Sequence, residues 1–247
     1  MRFLVTSDLT LPEQLALDEA WLEVRETGGE DACTTGGGAD ILRVWESQSY
    51  GVVVGLANAV DSEVDVSACE EAGIPILRRV SGGGTVLQGP GCLNYSVILG
   101  VEPDGPLDSV TAANAFVMKR IREALNPLVD GEIDIKGHTD LAIDGRKFSG
   151  NAQKRKRRAM LFHGTLLLDF DLGRISRFLR TPSKQPDYRG SRNHDAFVRN
   201  IGLSKDAVSQ ALRKEWNAVE EEDGSPGEEV ARLVREKYTK DEWNLRR

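Results

Sequence analysis

The sequence predicts an α+β or mixed α/β fold built around one sheet. Three observations carry this. Strand-like runs rich in β-branched residues are interleaved with amphipathic helical stretches, and the interleaving lacks the strict strand–helix–strand regularity of a parallel α/β protein. An Asp-Gly pair, Asp144-Gly145, between two short alternating segments marks a hairpin. With 247 residues, 40% of them hydrophobic, the chain has material for a sizeable core. No internal repeat and no long low-complexity linker interrupts it.

Taken in order, Thr10 with Glu13 forms a capping box, and helical spacing of Leu15, Leu17, Trp21, Leu22 and Val24 predicts a helix over Pro12 to Glu26. Gly28-Gly29 stops it, and Thr34 to Gly38 reads as a loop. Ile41 to Trp45 and Gly51 to Gly55 read as strands joined by a short polar connection. A helix over Ser62 to Ala72 ends at Gly73-Ile74-Pro75. Strands are expected at Ile76 to Arg79, Thr85 to Gln88 and Leu93 to Leu99. Val110, Ala113, Phe116, Val117, Ile121 and Leu125 give one face of a helix from Ser109 to Leu125, broken by Asn126-Pro127. Ile133–Ile135, Leu141–Ile143, Arg146–Ser149 and Met160 to Leu168 complete the strands, and the last seventy residues read as mainly helical and polar.

Charge and composition exclude several classes. Lys+Arg 32 against Asp+Glu 39 gives a net charge of −7, which disfavours sequence-independent nucleic-acid binding. There is no run of 18 apolar residues to span a membrane, and MRFLVTSDLT lacks the pattern of a secretory signal, so a cytoplasmic location is expected. Cys33, Cys69 and Cys92 fit no zinc-ligand spacing.

Four segments carry candidate chemistry. Arg78-Arg79-Val80-Ser81-Gly82-Gly83-Gly84-Thr85 follows an apolar strand. Its glycines read either as a flexible hairpin turn or as backbone N–H groups turned toward an anion. Arg79 and Ser81 would add a forked cation and a hydroxyl, which tilts the reading toward carboxylate or phosphate. The spacing matches neither the P-loop nor the Rossmann fingerprint. In Gly145 to Gln153, strand alternation puts Lys147 and Ser149 on one face and Phe148 on the other. Lys147 is thus either an ordinary surface lysine or one held in a cleft. His163, in Phe162-His163-Gly164-Thr165, is either a hydrogen-bonded core residue or a catalyst. Gly89 to Ser96 is a turn leading into a strand with small polar groups.

A basic run stands apart. From Arg146 to Arg158 there are seven basic residues and no acidic one, ending in Lys154 to Arg158. It reads as solvated surface, as a nucleotide-phosphate funnel, or as a dock for an acidic protein partner.

Taken together, these segments resemble the lipoate–protein ligase family, relatives of biotin–protein ligases. The resemblance runs through Ala16-Leu17-Asp18-Glu19-Ala20, Arg43-Val44-Trp45, Gly55-Leu56-Ala57-Asn58, Arg78 to Thr85, Asn94-Tyr95-Ser96, Thr139-Asp140-Leu141, Arg146 to Gln153 and His163-Gly164-Thr165-Leu166. Asp241-Glu242-Trp243-Asn244 is similar to the end of the family's large domain. The resemblance implies an α+β fold, a mixed and largely antiparallel sheet flanked by helices. It implies one catalytic domain over residues 1–247, mainly helical from about residue 172.

The activity so implied has two steps. Lipoate and ATP, with Mg2+, give lipoyl-AMP and pyrophosphate, and a lysine of a lipoyl carrier domain then takes the lipoyl group. Lys147 matches the lysine that bridges the carboxyl oxygen and the α-phosphate. Arg79, Ser81, Gly82, Gly83, Gly84, Thr85, Asn94, Asp140, Ser149, Gly150, Ala152, His163, Gly164 and Thr165 match the substrate and adenylate site, with no protein metal site expected. Val52–Val54 would line a tunnel for the alkyl chain or simply pack the core.

Octanoyl transferases on the same fold use a cysteine, either before the Asp-Leu of the lysine motif or near His-Gly. Here the first place reads Lys136-Gly137-His138-Thr139-Asp140, and no cysteine follows Cys92, which itself reads as a small packed residue. That favours an ATP-dependent ligase over transfer from a thioester or carrier-bound donor. A non-catalytic lipoate-binding domain is the third option, and the retained Lys147 speaks against it. Biotin ligation is disfavoured because that family's loop carries a Gly-Arg-Gly-Arg type sequence. The carrier is expected to present an acidic surface. Because the sequence ends at Arg247, where many bacterial ligases continue into an accessory domain, the expectation is either a separate accessory polypeptide as a further partner or a family member specialised to work without one.

Overall fold

A computed structural model of the chain describes residues 1–28, 39–182, 185–220 and 226–246. The elements are β1 (Arg2–Val5), α1 (Leu11–Thr27), β2 (Ile41–Glu46), β3 (Gly51–Val54), α2 (Val60–Glu63), α3 (Val66–Glu71), β4 (Ile76–Arg78), β5 (Val86–Gln88), β6 (Cys92–Gly100) and α4 (Val110–Leu125). They continue with β7 (Asp134–Lys136), β8 (Asp140–Ile143), β9 (Arg146–Arg155), β10 (Ala159–Leu167), α5 (Gly173–Phe178), α6 (His194–Phe197), α7 (Lys205–Glu215), β11 (Val219–Glu220), α8 (Gly227–Leu233) and α9 (Asp241–Asn244).

The expectation of one sheet needs correction. Eight strands form the order β11-β1-β2-β6-β10-β9-β8-β7, while β4-β3-β5 make a separate small sheet. In the large sheet the β11/β1 and β1/β2 contacts are parallel and the rest antiparallel. The four residues between β2 and β3 therefore carry the chain from one sheet to the other, and their strands do not pair. β1 and β11 carry no clear signal in the sequence because each is too short for its alternation to register.

Alternation along the central strands divides the core. Leu42 and Val44 of β2, Val97 and Leu99 of β6 and Phe162 of β10 pack against Val117 and Ile121 of α4 and Val208 and Leu212 of α7. Ile41 and Trp45, Ile98 and Leu161 face the other way, toward Leu15, Ala20 and Trp21 of α1. The capping box at α1 is formed, with the Thr10 N–H donating to the Glu13 carboxylate at 2.8 Å, and Gly28 ends the helix at φ +42°. Gly29 and the loop read at Thr34 to Gly38 lie outside the described residues.

The helix read over Ser62 to Ala72 is two short helices. Val64 is extended at φ −123° and bridges to Leu179, burying its side chain beside Phe178. Asp65 then caps α3, its Oδ1 accepting from the Ala68 N–H at 3.0 Å. Burial of one valine thus outweighs the continuity of a helix this short. Among the described residues of the last seventy, the regular elements are helices apart from the short β11.

Candidate active site

One row across three strands organises the centre of the large sheet. In register, Arg43 of β2, Ser96 of β6 and His163 of β10 lie side by side, and all three meet Asp18 of α1. Arg43, entirely buried, pairs with one Asp18 oxygen; the other accepts from Ser96 Oγ and lies against His163 Nδ1, each at 2.9 Å. Burial alone would raise the Asp18 pKa, but Arg43, His163 and Ser96 together outweigh it and hold the carboxyl below its ordinary value.

That row reaches the glycine loop. His163 Nε2 is 2.5 Å from Ser81 Oγ, which accepts from Arg79 Nε at 3.0 Å. The guanidinium of Arg79 also donates to the carbonyls of Val53 at 3.2 Å, Gly84 at 2.8 Å and Gly82. Desolvation lowers the Arg79 pKa to about 10. Arg79 therefore shapes the loop from within, a different task from the free forked cation that the sequence suggested. Gly83 needs to be glycine: its φ is +84°, and a Cβ there would sit 3.0 Å from Arg79 Nη2 and 3.2 Å from the Ala152 Cβ.

The strand feeding this loop is clamped from the far end of the chain. Arg78 donates to the carbonyls of Gly55, Leu56, Asn58, Trp243 and Arg246, while its own N–H meets Asn244 Oδ1 at 3.0 Å. Trp243 Nε1 closes the clamp by donating to the Arg78 carbonyl at 2.8 Å.

Lys147 occupies the opposite part of the site. Between β8 and β9, Leu141 faces Ser149 while Ala142 faces Lys147, so Phe148 is an extra residue and is buried in the core. Lys147 Nζ lies 2.7 Å from Asp140 Oδ1, and Tyr188 donates to Asp140 Oδ2 at 2.8 Å. The lysine folds across Gly150, where a Cβ would come within 2.8 Å of Nζ. Asn151 ties the neighbouring strands: Nδ2 donates to the Thr139 carbonyl at 2.6 Å and to Ser149 Oγ at 3.1 Å, and Oδ1 accepts from Tyr95. Its amide lies over Gly164, where a Cβ would be 1.7 Å from Oδ1.

Between these walls is a cavity of about 510 Å³. Leu15, Trp45, Val53, Val86 and Leu87 supply apolar lining; Pro182, Pro186, Arg189, His194, Phe197 and Val198 border it from a single stretch of chain. Arg79, Gly83, Gly84, Thr85, Asn94, Asp140, Lys147, Ser149, Gly150, Ala152, His163, Gly164 and Thr165 all line it. Ser81 and Gly82 are not among its lining residues, because Ser81 is turned inward to His163. Of Val52–Val54 only Val53 lines the cavity; its neighbours point to the opposite side and pack in the core. Asp18, Asn151, Tyr188 and Arg189 received no role from the sequence. Asp18 and Asn151 lie in motifs that carry the family resemblance, which was the available signal; Tyr188 and Arg189 lie in a polar segment without periodicity.

Residues 154–158 of the basic run do not line this cavity, although β9 lines it from Lys147 as far as Ala152. Lys156 pairs with Glu23, and Arg155 donates to the Leu107 and Asp108 carbonyls. These contacts leave Arg155 and Lys156 committed to protein groups rather than free to receive a phosphate. Cys69 and Cys92 are buried, with burial raising their thiols to about 11 and 12, and neither lines the cavity. Among the described residues no cluster of three or more His, Cys, Asp or Glu could hold a metal, and no helix is long and apolar enough to cross a membrane.

Residues 11–215 match the family model for the lipoyl protein ligase A/B catalytic domain. The lipoate-protein ligase LplJ of Bacillus subtilis is 28% identical over 213 residues, covering 79% of this chain. The chain spans only 62% of that relative's length. The octanoyltransferase LipM of Halalkalibacterium halodurans is 26% identical and covers 100% of this chain, which spans 99% of its length. Two solved structures share the fold. A bi-partite lipoate protein ligase of Thermoplasma acidophilum, studied with its E2 lipoyl domain, has a TM-score of 0.81, 22% identity and coverage of 99% of this chain and 95% of its own. A lipoate-protein ligase A bound with ATP has a TM-score of 0.78, 24% identity and coverage of 99% and 98%.

Proposed function

Because the chain belongs to the lipoyl protein ligase A/B catalytic-domain family, we propose that it activates lipoate with ATP and passes the lipoyl group to a lysine of a lipoyl carrier domain. In the first step a lipoate carboxylate oxygen attacks the α-phosphorus, and the bond to pyrophosphate breaks. In the second the carrier amine attacks the acyl carbon, AMP leaves, and the amine gives up a proton. Both steps move negative charge around one carboxyl–phosphate bridge.

The observation that carries this reading is Lys147, an ammonium held by Asp140 on the wall of a cavity with substantial apolar lining. A fixed cation there stabilises the charge that develops in either step without forming a covalent bond. The amides of Gly83 and Gly84 offer N–H groups to the adenylate, while Arg79, Ser81, His163 and Asp18 keep that loop in place. Leu15, Val53 and Leu87 suit an alkyl chain. Mg2+ would arrive with the nucleotide. Asp18 and Asp140 are the only cavity carboxylates among the described residues and both are already engaged, so no step is assigned to the ion.

The carrier is expected to be acidic. With Arg155 and Lys156 consumed internally, that expectation narrows to Lys154, Arg157 and Arg158. An accessory polypeptide acting in trans belongs to the same reading, supported by the bi-partite relative. We place the reaction in the cytoplasm, where ATP is at hand.

Octanoyl transfer without ATP is the second reading, favoured by the relative that matches the whole chain. Against it, neither Cys69 nor Cys92, the cysteines among the described residues, lines the cavity; Cys33 lies outside the described residues. Intact mass of an apo carrier, incubated with lipoate or octanoate with and without Mg-ATP, separates the two. The ligase reading expects acylation and pyrophosphate release only with ATP. Acylation from an octanoyl-carrier thioester without ATP would replace it.

A further inference from the structure

Four arginines of this fold are more than nine-tenths buried near the site, and three are saturated. Arg43 spends its guanidinium on Asp18, Gln14 and Thr6, Arg78 on five carbonyls, and Arg79 on three carbonyls and Ser81. The fourth is Arg189, 3% exposed, on the short 3-10 turn Asp187–Arg189 and on the cavity wall. Its Nε donates to the Arg192 carbonyl at 2.8 Å, and its guanidinium carbon lies 4.8 Å from the Phe197 ring centre. Nη2 is buried with no acceptor, and neither terminal nitrogen donates to a group among the described residues. Burial holds its pKa below the ordinary value, and no carboxylate offsets that. A desolvated cation with unmatched N–H groups is costly until acceptors complete it, and an anion supplies both the acceptors and the opposite charge.

Its position indicates what that is. The preceding residue, Tyr188, is tethered to Asp140, the same carboxylate that holds Lys147. His194 lies within electrostatic reach of both Arg189 and Lys147. Resting on the function proposed above, we infer that Arg189 binds a phosphate oxygen of the nucleotide, as a second cationic contact beside Lys147. The fork of a guanidinium matches a phosphate through two parallel N–H donors. Phosphate is favoured over the lipoate carboxylate because that carboxylate loses its charge on becoming an acyl phosphate, whereas phosphate remains anionic in every bound state.

The test is binding by titration calorimetry with ATP, inorganic pyrophosphate and lipoate, each alone, to the wild-type chain and to Arg189→Lys and Arg189→Met. Both variants lose the bond to Arg192, so a purely structural role predicts equal losses. A phosphate contact predicts that Arg189→Met raises the Kd for ATP about tenfold or more. Arg189→Lys should raise it only about threefold, with lipoate unchanged in both. Transfer from preformed lipoyl-AMP tells which phosphate is held: weakened transfer points to the α-phosphate, intact transfer to the leaving pyrophosphate, and either supports the inference. Equal effects of the two variants, unchanged ATP binding in both, or a matching loss of lipoate affinity overturn it. Should Arg189→Met fail to fold, Arg189→Lys decides alone, and unaltered ATP binding there overturns the inference. A wild-type chain that binds no ATP would instead sink the function itself.

Discussion

Lys147 has a carboxylate partner at 2.7 Å before any substrate arrives, so its ammonium is aimed without cost at the moment of reaction. Lys147→Ala should lower the rate of acyl-adenylate formation about 10²- to 10³-fold, roughly 3–4 kcal/mol, with little change in melting temperature. A stopped pyrophosphate-release assay reads it, and a folded variant with normal turnover would remove the assignment. Gly83→Val puts a β-branched residue at φ +84° against Arg79 and Ala152. Loss of lipoyl-AMP binding, with a smaller fall in melting temperature, is the expected result by calorimetry; undiminished affinity would make the loop a mere turn. The sequence exposed these two positions because a glycine run and a lysine after a tight turn are local patterns. It hid the roles of Asp18 and Tyr188, whose partners lie 25 and 48 residues away and are chosen by tertiary packing, and of Arg189, whose burial depends on that same packing.

Among the elements, β4 depends most on a distant segment. Arg78→Ala would strand several buried carbonyls in 55–58 and 243–246, and should cost about 2–4 kcal/mol in urea unfolding. An effect below 1 kcal/mol would show that water replaces the clamp. Most elements were legible as such: α1 through its capping box, α4 through its apolar stripe, β8 and β9 through Asp144-Gly145. The break at Val64 was not, since a valine and an aspartate in a polar stretch look helical until Leu179 is in place. Nor was the division into two sheets, because a short polar link between strands reads the same whether or not they pair.

At the scale of the whole molecule, the charged centre of the large sheet sets the acid limit of stability. The Asp18 pKa is lowered in the fold, so the carboxylate contributes stability that is fully present above its ordinary value of 3.8 and is lost as pH falls through the lowered one. Tryptophan fluorescence against pH should show that loss beginning just below pH 4. Asp18→Asn, which leaves the buried Arg43 without its counter-charge, should already be about 3–5 kcal/mol weaker at neutral pH, with a flatter profile in that acid window. An unaltered acid limb would mean that other carboxylates govern it.

The clamp on Arg78 also has a consequence in time. Every described residue of the cavity wall has been synthesised once residue 198 is added, yet the strand that carries the glycine loop is fastened by residues 243–246. Contacts across some 165 residues close late, because the chain between them must first be ordered. A nascent chain therefore holds a complete set of site residues in an unfinished loop, and competence should switch on abruptly with the last helix. Chains truncated after residue 226 should accordingly be cut by protease near Gly55–Asn58, where the 247-residue chain resists.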